Sequence, residues 1–586
     1  MSPVPSSNKN RNKRQFKSPT LKVAILIICC IFIICNYAAF ELIGISESSA
    51  VAKHLGSFTS TSISSIPKQQ KHNHAHLSCA KYGGPSDEVA SEMVYWKDIE
   101  IDATFISPLK RKDGQTQYLT FEPDQGGFNN VRMGVETVIA LAHATGRTLV
   151  LPPDHEIWAL NKGDNNQQRA FSFEEFFHFE SILIEHPGLN IISMEEFLSQ
   201  VAIKEGKFKT TEVLYPPNNK TKWDGEKLKP LWDYLRTIGL VRQWRPNSCV
   251  ALFPSTPDEE NLKQLEQMFY DVITEANGRS KPRIEDYIGK PVPVDSPAEE
   301  RLREMLGGRG QACPYDKEMQ SATLLHFKED WQKDFRLLTH FYGFLFFQDW
   351  KQDLWTKRFI RDHVHYNDDI VCAAARVVEV IRQRARQLHP ETNPKGEFDT
   401  MHVRRNDFGT QFADFIVDSK GLFENTRNEF SPGRTIYIAT DEQDHEYFRP
   451  MANVYDVVYL TDFLDVLGDL NTNFYPFIDQ LVAARGRVFY GVYLSTFTGY
   501  INRLRGYYSV KEKRDGYVDG VIESYNYMRP EDKDLYRTYH PFNTPAFMRE
   551  YPVAWRDIDH GIEALYNDSL EDASRGGSLR GAGAQV

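Results

Sequence analysis

The stretch Tyr118–Leu151, YLTFEPDQGGFNNVRMGVETVIALAHATGRTLVL, predicts the fold of this chain. Tyr118–Phe121 and Thr148–Leu151 are short apolar runs typical of buried strands. Between them the glycine pair at 126–127 turns the chain into a long helical pattern that ends at Gly146. A strand, a helix and a second strand at this spacing form the building block of a parallel sheet.

A second group of strand and helix patterns follows much later in the chain. Strands are expected at 398–403, 436–440, 454–460 and 487–494, and helices at 442–451, 474–484 and 496–505. This alternation predicts a doubly wound, Rossmann-like domain. The intervening 154–395 has a mostly helical and loop-like pattern. The part after 515 is polar and rich in tyrosine, so irregular packing is expected there.

Composition limits the class of protein. The chain has 586 residues, which is more than one hydrophobic core normally organises, so two domains with additions are expected. The apolar fraction of 41% is ample for a folded protein. The formal net charge of −11 argues against a nucleic-acid-binding protein, which usually carries a basic patch.

The N-terminus predicts a membrane anchor. Residues 1–22 are basic, with no Asp or Glu, and 23–40 form an uncharged apolar run. Eighteen residues lie near the lower limit for crossing a bilayer. A secretory signal peptide is the alternative, but no clear cleavage site follows before Glu41. An uncleaved signal-anchor is favoured, and the positive-inside rule places the rest of the chain in the lumen.

Cysteine usage agrees with a lumenal location. Four of the seven cysteines lie beyond the apolar run, at 79, 249, 313 and 372, and permit two disulfides in any of three connectivities. The sequons at Asn219 and Asn567 are compatible with this location. No CxxC spacing indicates a zinc site, and the isolated Asp557-Ile558-Asp559 is interpreted as coincidental.

The glycine turn is the first candidate half-site. A helix N-terminus has unsatisfied N–H groups and attracts anions. Asn129 and Asn130 stand there, one able to cap the helix and the other free for a ligand. Arg132 opposes the helix dipole, which a nearby phosphate or carboxylate would explain.

The second half-site is Met401–Asp407, MHVRRND, at the end of a predicted strand. Ligands collect at the carboxyl ends of parallel strands. Alternation places His402 and Arg404 on one face, so one arginine is expected to bind a diphosphate while the other pairs with a carboxylate such as Asp407. Asp479 is a lone carboxylate in an apolar helix, and the hydroxyls at 495 and 496 begin another helix.

The blocks GGFNNVRM, GRTLVLPP, HVRRND, IYIATDE and VAARGRVFYGVYLSTFTGYINRLRG together resemble the GDP-fucose O-fucosyltransferase family, which is related to the core α1,6-fucosyltransferases. The resemblance covers about 118–153 and 398–505. It implies an α/β, GT-B-like fold, with two Rossmann-like domains that face a cleft after a single N-terminal transmembrane helix. GDP-fucose would be held mainly by the C-terminal domain.

The resemblance also implies roles for individual residues. Arg404 would contact the β-phosphate, with Asn130 and Asp124 as the further candidates for catalysis. The candidate donor-binding residues are Gly126, Gly127, Phe128, Asn129, His402, Asp407, Asp479, Ser495 and Thr496. No metal and no cofactor other than the donor substrate are expected.

The general base is the point where this chain departs from the family pattern. One branch of the family has a glutamate in the glycine motif, where this chain has Gly126. The α1,6 branch has a carboxylate where this chain has Gln411. Asp124, Glu122 and Asp407 are the candidates by proximity, and a transfer with little base assistance is the alternative.

These observations predict a fucosyltransferase of the Golgi or ER membrane, single-pass type II, acting on a protein or glycan hydroxyl with inversion. The expected division is 1–22 cytosolic tail, 23–40 anchor, 41–95 stem, 96–395 N-terminal acceptor-side domain, 396–540 nucleotide-sugar domain and 541–586 C-terminal extension with a disordered end. The alternatives are the same fold with another nucleotide sugar, such as a rhamnose donor, or a catalytically silent lumenal protein that binds glycans or scaffolds other enzymes.

Overall fold

A computed structural model of the chain describes residues 75–158, 160, 170–179, 182, 186, 189–204, 225–278, 291–306, 308–330, 333, 336–532, 550 and 552–562. All of these belong to one compact unit, 72–586.

The strands are β1 (Tyr118–Phe121), β2 (Thr148–Leu151), β3 (His155–Glu156), β4 (Ala170–Phe171), β5 (Ile191–Ser193), β6 (Leu240–Arg242), β7 (Cys249–Phe253), β8 (Gln311–Pro314), β9 (Leu324–Phe327), β10 (Leu345–Phe347), β11 (Asp399–Val403), β12 (Thr435–Thr440), β13 (Asp456–Val458), β14 (Phe489–Val492) and β15 (Ser524–Tyr527). The α-helices are Asp87–Ser91, Phe128–Thr145, Met194–Glu196, Gly225–Ile238, Glu259–Gly278, Ala298–Met305, Lys317–Ser321, Phe341–Phe344, Trp350–His363, Asp368–Leu388, Asn406–Gln411, Ser419–Thr426, Arg449–Ala452, Leu464–Leu467, Tyr475–Ala484 and Thr496–Glu512, and Phe197–Lys204 is a π-helix.

The first sheet is built around the predicted strand–helix–strand unit. Its order is β5-β2-β1-β9-β6, and all its pairs are parallel. The helix Phe128–Thr145 connects β1 to β2 and is buried along most of its length. It ends at Gly146, which adopts the left-handed conformation with φ 66°, as the sequence predicts.

The last sheet is also parallel, in the order β13-β12-β11-β14-β15. Strands β11, β12 and β14 are nearly fully buried, which fits a sheet covered by helices on both faces. The four strands predicted here are confirmed with shifted ends. The prediction of irregular packing after 515 is wrong at one point, because Ser524–Tyr527 adds the fifth strand, β15.

The middle of the chain differs most from its predicted pattern. Strands β6 and β9 complete the first sheet, and β10-β7-β8 form a separate parallel sheet. These strands have three to five residues each. Such short runs carry little periodicity, so their pairing with distant strands decides their conformation.

Two disulfides confirm the prediction from cysteine number. Cys79 is bonded to Cys372 and Cys249 to Cys313. The second bond joins the first residue of β7 to the third residue of the neighbouring strand β8, and the first ties the segment that precedes the sheets to the helix Asp368–Leu388.

Within the described parts of the chain, no helix is long and apolar enough to cross a membrane. The predicted anchor at 23–40, the basic tail and both sequons lie outside those parts. Membrane attachment therefore stays a prediction from the sequence.

Candidate functional site

The carboxyl end of β11 brings the second predicted half-site against the start of the helix Thr496–Glu512. His402 is 5% exposed, and its Nδ1 lies 2.8 Å from the Thr498 hydroxyl. Its ring stacks on Phe497 with the centroids 4.4 Å apart. Burial, with the nearby charge of Arg404, lowers the pKa of His402 to about 3, so the imidazole is neutral at physiological pH.

Both arginines of the motif are paired with carboxylates. Arg404 donates to Asp407 from Nε at 3.3 Å and from Nη2 at 2.7 Å. Arg405 pairs with Glu442 and stacks on Tyr447. The sequence assigns Arg404 to the diphosphate and Asp407 to the other arginine of the motif. The assignment of Asp407 is wrong, because Asp407 is bound by Arg404. Arg404 remains 28% exposed, and the described residues supply no acceptor for its Nη1.

The next strand end carries the clearest sign of a ligand site. Ser495 precedes the helix Thr496–Glu512 and is 3% exposed, yet its hydroxyl has no hydrogen-bond partner among the residues that the structure describes. Leu494 before it has φ 67°, a left-handed conformation that non-glycine residues rarely adopt. Thr496 donates its hydroxyl to the Asn130 side-chain oxygen at 3.1 Å.

The glycine turn faces this helix start from the first half of the chain. Gly127 begins the helix with no side-chain cap, so neither asparagine caps it. Instead Asn129 accepts from Gln480 at 3.0 Å, and Asn130 accepts from Thr496. Both amides therefore link the two halves of the chain, and the described residues supply no acceptor for the Asn130 NH2.

Phe128 has a different position from the predicted one. Its ring is 7% exposed and packs against Phe477, with the centroids 4.3 Å apart, and against Phe176. It belongs to the core that holds the turn, so its contribution to the site is indirect.

Arg132 is explained by carboxylates rather than by a ligand. Its guanidinium is fully buried and pairs with Glu136 at 2.7 Å and with Glu550 at 3.1 Å. Arg503 pairs with the same two residues, and Tyr342 donates to Glu550. This buried cluster joins the helices Phe128–Thr145 and Thr496–Glu512 to the C-terminal segment, and so fixes the glycine turn relative to the other half-site.

Asp479 lies on the helix Tyr475–Ala484 against strand β12. Tyr437 donates its hydroxyl to the Asp479 carboxylate at 2.5 Å. Burial raises the pKa of Asp479 to about 7, although the Tyr437 hydrogen bond opposes the shift. The sequence predicts an unfavourable free energy for burying a lone carboxylate in an apolar helix. The hydrogen bond from the Tyr437 hydroxyl reduces this cost.

The family model for GDP-fucose protein O-fucosyltransferase matches residues 118–508. The chain belongs to this family. The matched range runs from strand β1 to the helix Thr496–Glu512 and thus contains both half-sites. The family assignment makes the protein a glycosyltransferase.

Two solved fucosyltransferase structures are similar to the chain at low identity. The fucosyltransferase NodZ from Bradyrhizobium is 14% identical with a TM-score of 0.30, covering 67% of this chain and 94% of that one. POFUT1 in complex with GDP-fucose is 12% identical with a TM-score of 0.30, covering 67% and 95%. No curated protein is significantly similar to the chain.

A fucosyltransferase transfers to a hydroxyl, so the fate of the hydroxyl proton matters. Every carboxylate that the sequence offers as the base is paired in the structure. Asp124 accepts from Arg336 at 2.7 and 2.9 Å and from the Gly126 N–H at 2.7 Å. Glu122 is bound to Arg236 and to His326, and Asp407 is bound to Arg404 as described above.

Glu329 is a member of this group that the sequence does not reveal. It follows β9, the neighbour of β1, and lies beside Asp124. Burial and the charge of Asp124 raise the pKa of Glu329 to about 9. The Glu329 carboxyl therefore keeps its proton at neutral pH. Glu329 is part of no recognisable sequence motif, and only the pairing of β1 with β9 brings it to the site.

The geometry also explains why residue 126 is a glycine. A Cβ at Gly126 would lie 2.6 Å from the Asn130 side-chain nitrogen and 2.7 Å from an Asp124 oxygen. The space for a side chain at 126 is thus occupied by Asp124 and Asn130.

Elsewhere, Asp559 of the DxD-like triplet pairs with Lys97 and Arg361, a structural role. The described residues contain no group of three or more His, Cys, Asp or Glu arranged to hold a metal ion.

Proposed function

We propose that this protein transfers fucose from GDP-fucose to a protein or glycan hydroxyl with inversion, in a GT-B arrangement whose nucleotide-sugar side is the C-terminal sheet. The observation that supports the proposal best is the buried Ser495 hydroxyl, which finds no partner in the described parts of the chain, at the start of a 17-residue helix. Helix N-termini favour anions, and a diphosphate oxygen would supply the missing hydrogen-bond partner.

Arg404 is proposed to counter the charge that develops on the leaving diphosphate. It lies at the end of β11, and β14, which leads into Ser495, pairs directly with β11. Two of its three guanidinium nitrogens are held by Asp407, which orients the group and leaves Nη1 for the ligand. A guanidinium oriented in advance stabilises the transition state more than one that must reorganise.

The reaction forms one bond and breaks another at the anomeric carbon. The acceptor oxygen attacks the face opposite to the diphosphate, and the C1–O bond electrons leave with the β-phosphate. Asn130 is proposed to donate its free amide hydrogens to the sugar or the diphosphate, since its oxygen is held by Thr496. The acceptor hydroxyl is proposed to give its proton to the Asp124 carboxylate. The reaction is proposed to need no metal.

The location is proposed to be the Golgi or ER membrane, with the enzyme in the lumen. The basic residues of 1–22 and the apolar run at 23–40 support a type II anchor. The two disulfides support an oxidising compartment.

The first test measures the thermal stability of the lumenal part, from 72 onward, with GDP-fucose, GDP-mannose, GDP-rhamnose and UDP-sugars in EDTA. Stabilisation should follow the donor concentration because ligands that bind only the folded state raise its stability. Arg404→Ala should abolish most of the shift and slow transfer by about 10²–10³-fold. Arg427→Ala is the control, because Arg427 is an exposed arginine of the same half that pairs with Glu424.

Stabilisation by GDP-fucose that Arg404→Ala removes and Arg427→Ala leaves would support the proposal. Preference for GDP-rhamnose would replace fucose with another donor on the same site. No shift with any nucleotide sugar would refute the transferase proposal and favour a lumenal binding or scaffold protein.

A further inference from the structure

Thr498 lies in the first turn of the helix Thr496–Glu512 and makes two polar contacts. Its hydroxyl oxygen accepts from the Val492 N–H at 2.9 Å and lies 2.8 Å from His402 Nδ1. Thr498 is 2% exposed, and no other polar partner of its hydroxyl occurs among the described residues. The hydroxyl thus bridges the end of β14 and the histidine of β11.

Counting the protons decides the direction of the second bond. The Val492 N–H can only donate, so it occupies a lone pair of the Thr498 oxygen. The buried hydroxyl proton then needs an acceptor, and His402 Nδ1 is the one within reach. A hydroxyl that donates to Nδ1 requires Nδ1 to be unprotonated. Since the imidazole is neutral, its one hydrogen must then be on Nε2.

The surroundings leave Nε2 as the ring nitrogen that is able to bind a ligand. No described residue accepts from Nε2, whereas Nδ1 is held by Thr498. The stacked ring of Phe497 fixes the imidazole plane. Strand alternation directs residues 402 and 404 to the same side, and the Arg404 charge is near enough to lower the pKa of His402. The Nε2 hydrogen is therefore inferred to face the side where Arg404 would meet the diphosphate.

The backbone is shaped to allow this contact. A Cβ at Gly491 would lie 2.3 Å from Thr498 Cγ2 and 2.9 Å from its Oγ1. Distances this short exclude any side chain at 491. The glycine in strand β14 is therefore explained by the close approach of Thr498 to the strand.

We propose that Thr498 is a positioning residue that fixes His402 in the Nε2–H form, so that a neutral imidazole donates a hydrogen bond to the nucleotide-sugar donor. The opposite tautomer would present a lone pair to an anion and repel it. The ligand in this proposal rests on the function proposed above, but the tautomer is a property of the free protein.

The test compares two variants of one side chain in the lumenal protein labelled with ¹⁵N at the histidine rings. Thr498→Val keeps the shape and removes the hydroxyl, and Thr498→Ser keeps the hydroxyl. The His402 signals are assigned by their loss in His402→Gln. Thr426→Val is the control, since Thr426 is a fully buried helical threonine whose hydroxyl bonds to the Leu422 and Phe423 carbonyls and to Tyr455, outside both half-sites.

In the unliganded wild type, Nδ1 should resonate as an unprotonated nitrogen and Nε2 as a protonated one. Thr498→Val should lose this pattern and bind GDP-fucose about tenfold more weakly. Thr498→Ser should keep the wild-type nitrogen signals and the wild-type affinity, and Thr426→Val should change neither the signals nor the affinity.

A wild-type His402 protonated at Nδ1 would overturn the proposal. So would a Thr498→Val variant with the wild-type signals and the wild-type affinity. If GDP-fucose fails to bind the wild type, the proposed function fails, while the nitrogen signals still decide the tautomer.

Discussion

Glu550 offers the sharpest prediction about stability, because it connects the C-terminal segment to both half-sites. It is fully buried and accepts from Arg132 at 3.1 Å and from Tyr342. Arg503 lies 3.5 Å away. The two arginines face two carboxylates, Glu136 and Glu550, so the cluster is balanced.

Glu550→Gln would leave one buried positive charge without compensation. Breaking a buried pair in this way costs about 3–5 kcal/mol of unfolding free energy. The measurement is urea unfolding of the protein from residue 72 onward at pH 7, followed by tryptophan fluorescence. A second substitution, Arg132→Gln, should restore part of the loss in the double variant, because it rebalances the charge.

The pH dependence gives an independent check. Burial alone would raise the pKa of Glu550, but the charge of Arg503, with His340 and Arg132, outweighs it and holds the pKa at about 2. A folded pKa below the unfolded one means that the contribution is complete above about pH 4.5 and is lost as the pH falls toward 2. Glu550→Gln should lack this part of the acid unfolding.

A cost below about 1 kcal/mol, or a double variant no more stable than the sum of the single losses, would refute the reasoning. The first result would mean that solvent reaches the cluster. The second would mean that the arginines do not share the carboxylates.

Two further predictions concern single positions. Asp479→Asn should stabilise the unliganded protein at pH 8, by at most about 4 kcal/mol, with no gain at pH 4. The raised pKa of about 7 means that the wild type loses stability as the pH rises from about 4 to 7, and an equal gain at both pH values would contradict this. Gly506→Ala should cost at least about 1–3 kcal/mol in urea unfolding, because its Cβ would lie 2.1 Å from the Trp555 indole. Gly310→Ala, with open space at its Cβ, should be nearly neutral, and equal costs at both glycines would refute the packing argument.

The elements that the sequence predicts well are those with strong local signals. The unit from β1 to β2 has an apolar strand, a glycine pair, a long helical repeat and a terminal glycine, and the structure places each as expected. The strands β11, β12 and β14 are found for the same reason. Strand β15, with sequence SYNY, has no such signal and forms only because β14 supplies its hydrogen bonds.

The candidate site divides along a similar line. Residues at strand ends and helix starts, such as His402, Arg404 and Ser495, stand where the sequence places them. Glu329 and Thr498 are missed, because each matters only through a partner distant in sequence. Glu329 lies 205 residues after Asp124, and Thr498 lies 96 residues after His402.

The sequence by itself determines the α/β class, the family, the positions of the two candidate half-sites and the number of disulfides, because these depend on local patterns and counts. The tertiary structure alone decides which carboxylate holds which arginine, which ring nitrogen is held by Thr498 and which glycines are indispensable. Burial makes each unpaired polar group and each close contact costly, so the partners of these residues are selected by proximity in space, which the order of residues does not encode.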